Sequence, residues 1–471
     1  MDPKEFREEA HKMVDWIADY MENIEQYPVK AKTLPGEIFK QLPSMPPFSG
    51  ESMEEIMKDF ESIILPGITH WQSPNFYAYF PANSSGPSVL AEMLTAAMGS
   101  QCMIWETSPA AAELEERVLN WLRDTMGLPG SFEGVIQDTA SGASLAALIC
   151  AREKHTGFDG NNSGLYNSKK LRVYCSTQTH SSIDKAVKIA GFGIENLVKI
   201  DVDSNYAMRS DLLEKQVIKD INAGFIPCCV IVAIGTTGTT AIDPLKEIGA
   251  IASKNDIWVH VDAALAGTAL LMPEYGWMIE GKEYIDSFVF NPHKWMFTNF
   301  DCSVYFVKDA ETLIKTFEIL PEYLKTRTRG EVNDYRDWGI PLGRRFRALK
   351  LWFVIRYYGL EKIMDMIREH INIASSLASW IEEDPSFEVL APHPLNTVCF
   401  RYNPGDMDEE KLNAINKDLN HRLNDSGKIY LTHTSLEGRY TLRMVTSQTN
   451  VTMKHVKNAW KLIKDLSIED L

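Results

Sequence analysis

Hydrophobic positions recur along this chain in two different registers. Phe6, Met13, Val14, Ile17 and Met21 fall on one face of a helix over residues 6–24, and Met53, Ile56, Met57, Phe60 and Ile64 do the same over residues 52–64. Between them lies a proline-punctuated, extended stretch from Pro28 to Pro47. Such thin helices cannot enclose a core, so residues 1–85 are expected to form a helical arm that packs on another subunit. From residue 86 to 347 the pattern changes to short apolar runs at 134–137, 171–175, 230–234, 257–261 and 287–290, separated by helical periods. Runs without polar alternation belong to strands covered on both faces, which predicts a mostly parallel central sheet in an α/β domain. Beyond Arg347 a helical run through Leu349, Leu351, Trp352, Ile355 and Tyr358 leads to a smaller α+β domain, residues 348–471. Its strands are expected at 387–390, 397–402 and 440–445, with a last helix from His455 to Ile468.

Composition narrows the classes of function. At 471 residues the chain exceeds what one hydrophobic core fills, and 45% hydrophobic residues suffice for two or more packed units. Sixty-four acidic against 48 basic side chains give a formal net charge of -16, which repels nucleic-acid phosphates and anionic lipid; neither partner is expected. Arg327, Arg329, Arg344, Arg345 and Arg347 do cluster, but Glu331, Asp334 and Asp337 lie among them and the group reads as an internal ion-pair network. The seven cysteines are odd in number and sit mostly in apolar runs, so they read as buried thiols. No Cys-x-x-Cys or His-x-x-x-His spacing supports a metal site. With no basic-then-apolar leader and no run of the ~18 apolar residues a membrane span needs, a soluble cytoplasmic protein is expected.

In parallel sheets ligands bind beyond the carboxyl ends of the strands, so the polar residues that follow these runs hold the chemistry. Residues 137–144, Gln-Asp-Thr-Ala-Ser-Gly-Ala-Ser, form a small-residue turn opening a helix, either a phosphate cradle or simply a cap. His180 stands at a loop-to-helix junction, where a histidine serves catalysis or capping. The 230–234 run ends in a hydroxyl-rich turn, Gly235 to Thr240. Asp262 follows the 257–261 run, and burial there demands a cationic partner. Lys294, in Asn-Pro-His-Lys-Trp (291–295), is costly to bury as a free ammonium. A protonated pyridine nitrogen answers Asp262 and an aldehyde answers Lys294, the two demands that pyridoxal 5′-phosphate (PLP) makes of a protein. A buried Asp262–Lys294 ion pair is the alternative that needs no cofactor.

Several further stretches now carry weight together: His70-Trp71 with Ser73-Pro74, Ala78-Tyr79-Phe80-Pro81, Ser108-Pro109 with Glu113-Leu114-Glu115, His180-Ser181-Ser182, His260-Val261-Asp262-Ala263-Ala264, Asn299-Phe300-Asp301-Cys302-Ser303 and Pro341-Leu342-Gly343-Arg344-Arg345-Phe346-Arg347. With them the chain resembles, over nearly its whole length, the aromatic-L-amino-acid decarboxylases of the group II PLP decarboxylases. The resemblance implies the PLP-dependent transferase fold type I and a homodimer with shared active sites. It makes Lys294 the Schiff-base lysine, Asp262 the carboxylate on the pyridinium nitrogen and His180 the imidazole stacked on the ring. Ala140, Ser141 and Asn291 match phosphate-binding positions with His293 beside them, and Thr237 and Ala264 match further cofactor contacts. Tyr323, in Pro321-Glu322-Tyr323-Leu324-Lys325, matches the tyrosine on a mobile loop that protonates Cα; relatives with phenylalanine there are aldehyde synthases.

For the substrate ring, the resemblance makes Trp71, Tyr79, Phe80 and Pro81 a pocket wall, although the same residues also read as an aromatic core cluster. Ala82 replaces a hydroxyl residue of animal dopa decarboxylases. Gln101 and Met103 replace an aliphatic residue and a phenylalanine on the wall given by the partner subunit, and Gly343 matches the position where plant relatives carry glycine for indolic and serine for phenolic substrates. The implied reaction is decarboxylation of tryptophan or 5-hydroxytryptophan to the arylalkylamine and CO2, with tyrosine, phenylalanine and dopa open. The alternatives are an oxygen-dependent aldehyde synthase, a histidine or glutamate decarboxylase, and a PLP-binding protein without turnover.

Overall fold

The computed structural model describes residues 1–166, 170–319 and 330–468. The chain divides into two compact units. One comprises residues 82–374 and 391–397, the other residues 1–81, 375–390 and 398–471.

The larger unit is built on a seven-stranded sheet: β1 (Glu133–Gln137), β2 (Leu171–Ser176), β3 (Leu197–Ile200), β4 (Ile226–Ala233), β5 (Trp258–Asp262), β6 (Ser287–Phe290) and β7 (Ser303–Val307), in the spatial order β1-β7-β6-β5-β4-β2-β3. Strands β3, β2, β4, β5 and β6 pair in parallel, and β7 alone runs against its neighbours β6 and β1. The sheet is thus mostly parallel, as the unbroken apolar runs require. In β4 seven of eight residues are buried, and each fully buried Val or Ile contributes about 1.5–3 kcal/mol. β3 and β7 are additions to the expected set. β3 is a short edge strand whose burial is partial, and β7 (Ser-Val-Tyr-Phe-Val) is buried throughout.

The helix Ala140–Thr156 crosses the sheet on small residues: Ala143, Ala146, Ala147 and Ala151 are buried, so its backbone approaches the strands closely. Thr139 caps its start, with Oγ1 accepting the Gly142 N–H at 3.2 Å, and Gly157, at φ 63°, stops it in the left-handed region. Three of the clustered arginines form ion pairs with carboxylates brought in from elsewhere in the unit, and Arg327 and Arg329 lie outside the described residues. Arg344 meets Glu115 (2.7 Å), Arg347 meets Asp301 (2.9 Å) and Arg345 meets Glu92, rather than Glu331 or Asp334. All seven cysteines are buried, and no disulfide joins them among the described residues.

The smaller unit carries a second sheet of β8 (Phe387–Val389), β9 (Thr397–Tyr402), β10 (Thr432–Leu436) and β11 (Arg439–Val445), ordered β10-β11-β9-β8, with helices Glu409–Asp425 and Met453–Ser467. The N-terminal residues join this unit. Phe76 bridges to Tyr430, and the Tyr77 N–H donates to the Tyr430 carbonyl at 3.0 Å. The first helix, Pro3–Glu22, is fixed by a capping box of Asp2 and Glu5, yet none of its residues is buried and Phe6, Val14 and Met21 are exposed. No helix among the described residues is long and apolar enough to cross a membrane.

Candidate active site

The predicted cofactor residues all belong to the larger unit and follow the carboxyl ends of its parallel strands. β6 ends at Phe290, and Asn291 leads into one helical turn, Pro292–Trp295, in which the Lys294 N–H donates to the Asn291 carbonyl at 2.9 Å. Proline suits the first position of that turn, having no N–H to leave unpaired. The Asn291 N–H donates to the Ala264 carbonyl (2.9 Å) and the Ala263 N–H to the Val289 carbonyl (2.9 Å), which stitches the turn after β5 to the turn after β6.

Asp262 is the last residue of β5, opposite Ala233 of β4 and Val289 of β6. Its Oδ1 accepts the Ala264 N–H at 3.1 Å, and it forms no ion pair among the described residues. The Asp262–Lys294 salt bridge that would have explained both residues without a cofactor is therefore not made. His180, in the turn after β2, senses both groups: burial lowers its pKa, the Lys294 charge lowers it further, and the Asp262 carboxylate pulls the other way. Its Nδ1 lies 2.9 Å from the Ser182 hydroxyl, and part of the ring is open to solvent.

At the end of β1 the backbone N–H groups of Ala140 and Ser141 make no hydrogen bond among the described residues, because the Thr139 cap reaches only Gly142. Ser303, the first residue of β7, stands in register with Gln137 and donates its hydroxyl to Asn291 Oδ1 at 2.6 Å. That fixes the Asn291 amide with its NH2 turned away as a donor. His293 Nδ1 accepts the Cys302 N–H at 2.9 Å, and burial pushes its pKa down to about 3, so the ring is neutral and carries its proton on Nε2. Two free helix N–H groups, an amide NH2 and a neutral imidazole N–H form a donor set without a fixed cation, which suits a phosphate dianion. With an unpaired carboxylate at β5 and a lysine at β6, these residues fit PLP. Thr237 lies in the turn after β4, closed by the Gly235 and Thr236 N–H groups donating to the Ala241 carbonyl at 3.0 Å each.

Beneath this surface lies a buried chain that the sequence reading passed over. His260 is fully buried; its Nε2 lies 3.0 Å from Ser144 Oγ, its Nδ1 2.9 Å from Ser287 Oγ, and that hydroxyl accepts the Trp258 indole N–H at 2.8 Å. Burial pushes the His260 pKa down to about 4, so it stays neutral and leaves the Asp262 carboxylate uncompensated. The available signal was alternation: Trp258, His260 and Asp262 share one side of β5.

The predicted substrate residues fall into two groups. In the larger unit Gln101 and Gly343 are neighbours, a Cβ added at Gly343 lying 3.2 Å from Gln101 Nε2, and Arg344 donates its backbone N–H to Gln101 Oε1 at 2.7 Å. The Met103 carbonyl accepts the Arg336 N–H at 2.8 Å, and the Asn83 N–H, next to Ala82, donates to the His293 carbonyl at 2.9 Å. The buried Arg344–Glu115 pair anchors this segment to β1: Arg344 Nη2 also donates to the Ile136 carbonyl (2.8 Å), and Glu115 Oε1 accepts the Ile136 N–H (2.7 Å). A cavity of about 220 Å³ runs along the segment, lined by Gln137, Asp138, Gly142, Trp338, Gly343 and Arg347 among others.

In the smaller unit Trp71 and Tyr79 stack, centroids 5.8 Å apart; Phe76 lies tilted against Trp71, and Tyr430 meets both Tyr79 and Phe76 edge-on. Arg443 donates to the Tyr79 carbonyl at 2.8 Å and lies over the Phe80 ring, and Pro81 is buried. Tyr430 was not foreseen as part of this cluster. Tyr323 lies outside the described residues.

Comparison with known proteins gives a consistent picture. The pyridoxal-dependent decarboxylase conserved domain matches residues 35–403. The chain is 45% identical over 475 residues to the phenylacetaldehyde synthase of Arabidopsis thaliana, covering 99% of this chain and 96% of that protein, and 44% identical to tyrosine decarboxylase 2 of Narcissus pseudonarcissus, with 99% and 94% covered. Among solved structures, Oryza sativa tryptophan decarboxylase with PLP and tryptamine superposes with a TM-score of 0.96 at 36% identity, covering 100% of this chain and 99% of that one. From the unpaired Asp262 beside Lys294 to these matches along its length, the chain belongs to the pyridoxal-dependent decarboxylase family.

Proposed function

We propose that this protein decarboxylates an aromatic L-amino acid to its arylalkylamine and CO2, with Lys294, Asp262, His180 and Tyr323 as the catalytic residues. The observation that carries the reading is the Asp262 carboxylate, left without a cation at the end of β5 while His180 senses both it and Lys294. When bound, PLP supplies an aldehyde that takes up an amine and a protonated ring that draws electrons from Cα.

The rest is the work of the chain. Lys294 would hold the cofactor through its Nζ. Asp262, with one oxygen on the Ala264 N–H and no competing cation, keeps the proton on the ring nitrogen. His180, its pKa lowered by burial and by Lys294, would cover the ring as a neutral plane. The free N–H groups of Ala140 and Ser141, the Asn291 amide and His293 Nε2–H would hold the phosphate, and Thr237 and Ala264 would complete the contacts. Which bond at Cα breaks is a matter of orientation, fixed by where the aromatic side chain is held. We assign that task to Trp71, Tyr79, Phe80, Pro81 and Ala82, with Gln101, Met103 and Gly343 coming from a second copy in a homodimer. The exposed apolar residues of the helices Pro3–Glu22 and Gly86–Met98, among them Phe6, Leu90, Leu94 and Met98, support that assembly. The reading places residues 1–85 as a dimerisation arm, 86–347 as the PLP domain and 348–471 as a small domain, in a cytoplasmic enzyme. Tyr323 returns the proton to Cα.

Purified protein with PLP and each aromatic amino acid should release CO2 and the matching amine. No amine from any of them defeats the proposal. A second reading, an aldehyde synthase, draws on the likeness to phenylacetaldehyde synthase. Tyr323 speaks against it, and oxygen uptake with peroxide release would establish it.

A further inference from the structure

We propose that Gln101 is a specificity-determining hydrogen-bond donor that makes this enzyme prefer ring-hydroxylated over unsubstituted aromatic amino acids. The inference rests on the reading above, in which the face carrying Gln101 and Gly343 closes the aromatic pocket of a second copy.

The orientation of the amide is settled by its partner. The Arg344 backbone N–H lies 2.7 Å from one terminal atom of Gln101, and an N–H can only donate, so that atom is Oε1. Arg344 cannot drift, because its side chain is buried in the pair with Glu115 and bonded to the Ile136 carbonyl. The amide is tied at its oxygen, and its NH2 makes no hydrogen bond among the described residues.

That NH2 is aimed at the space a side chain at position 343 would claim. A Cβ on Gly343 would stand 3.2 Å from Nε2, closer than ordinary contact. Glycine at 343 therefore does more than leave room: part of that room is taken by a donor with nothing to bind. Both residues are exposed on the isolated chain, so the donor is presented outward. When an aromatic ring is brought against this face, a bare C–H edge strips water from the NH2 and offers nothing in return, which costs roughly 1–3 kcal/mol. A phenolic or hydroxyindole oxygen accepts the hydrogen bond instead. Discrimination by an unmet polar group of this sort is stronger than discrimination by added apolar bulk.

The test uses matched pairs that differ by one hydroxyl: tyrosine against phenylalanine, and 5-hydroxytryptophan against tryptophan. Both kcat/KM and the competitive binding of the corresponding 3-arylpropanoates, which lack the reacting amine, are measured on the PLP-loaded enzyme. The wild type should favour the hydroxylated member of at least one pair by about tenfold in both readouts. Gln101→Leu should bring that ratio to near one, through KM rather than kcat and with the visible absorbance of the bound cofactor unchanged. Gly343→Ala, which pushes the amide aside, should shrink it in the same direction. Equal ratios in wild type and Gln101→Leu, or a wild type that favours the unsubstituted ring, overturn the proposal. If the wild type turns over no aromatic amino acid, the function proposed above fails, and the arylpropanoate binding ratios still decide the role of Gln101.

Discussion

The buried His260 should make this fold acid-labile in a predictable way. Its pKa is held at about 4, against 6.5 for a free imidazole. As the pH falls below 6.5 the unfolded chain binds a proton that the folded one refuses, so the stability this neutral histidine contributes is full above pH 6.5 and is lost as the pH falls toward 4. Between pH 7 and pH 4.5 the difference amounts to about 2.5 kcal/mol, close to two pH units at 1.36 kcal/mol each. Replacing the ring by an amide, His260→Gln, removes the titration but keeps a donor and an acceptor for Ser144 and Ser287. At pH 7 the variant should be weaker by about 1–3 kcal/mol, because the shorter amide cannot reach both hydroxyls well. On acidification it should lose about 2.5 kcal/mol less than the wild type. Urea unfolding of the PLP-loaded proteins, followed by fluorescence at pH steps from 7 to 4.5, reads both numbers. His293, also held low, is common to both proteins and cancels. Parallel stability–pH curves would refute the account, for they would show that the buried ring does not carry the proton linkage.

Other substitutions test the rest of the site. Lys294→Arg keeps the charge but cannot take the aldehyde, so the visible absorbance of bound cofactor should vanish and turnover fall by on the order of a thousandfold or more. Asp262→Asn is isosteric and retains the Ala264 N–H bond, yet it no longer holds the ring proton; kcat should fall by roughly a hundredfold while that absorbance persists, and an unaltered kcat counts against the role given to Asp262. Glu115→Leu strands the buried Arg344 guanidinium and should cost about 3–5 kcal/mol in urea unfolding, whereas a loss below 1 kcal/mol would mean Arg344 finds another anion. Tyr323→Phe should divert product from amine toward aldehyde and peroxide, measured by chromatography and oxygen uptake.

What the sequence disclosed and what it hid follow from range. The apolar runs of β4, β5 and β6 are local signals of burial on both faces, and Asp262 and Lys294 announced themselves by standing where charge is expensive, whereas Asn291 was marked only by the resemblance. β10 escaped notice because its alternation of half-buried and exposed residues resembles a loop. The partners of the arginines were misjudged for a different reason: Glu92, Glu115 and Asp301 are distant along the chain, and nothing local marks a carboxylate as the mate of Arg345, Arg344 or Arg347. His260 was visible as a letter but not as a relay, since Ser144 and Ser287 reach it from other elements. Gln101 beside Gly343 is likewise a fact of folding alone.

The reversed strand β7 has a consequence for how the chain is made. Among the described residues β1 has no other neighbour in the sheet, and β7 is the last of the seven strands in sequence. During synthesis β1 must wait, unpaired, until residues 303–307 have emerged, and only then can the Ser303 hydroxyl join Asn291 alongside Gln137. Until that moment both β1 and β6 offer open edges, which makes nascent or truncated chains ending before Ser303 prone to association through them. Ala140 and Ser141 after β1 and Asn291 and Lys294 after β6 are thus brought together last, so the proposed cofactor site is complete only on a finished sheet.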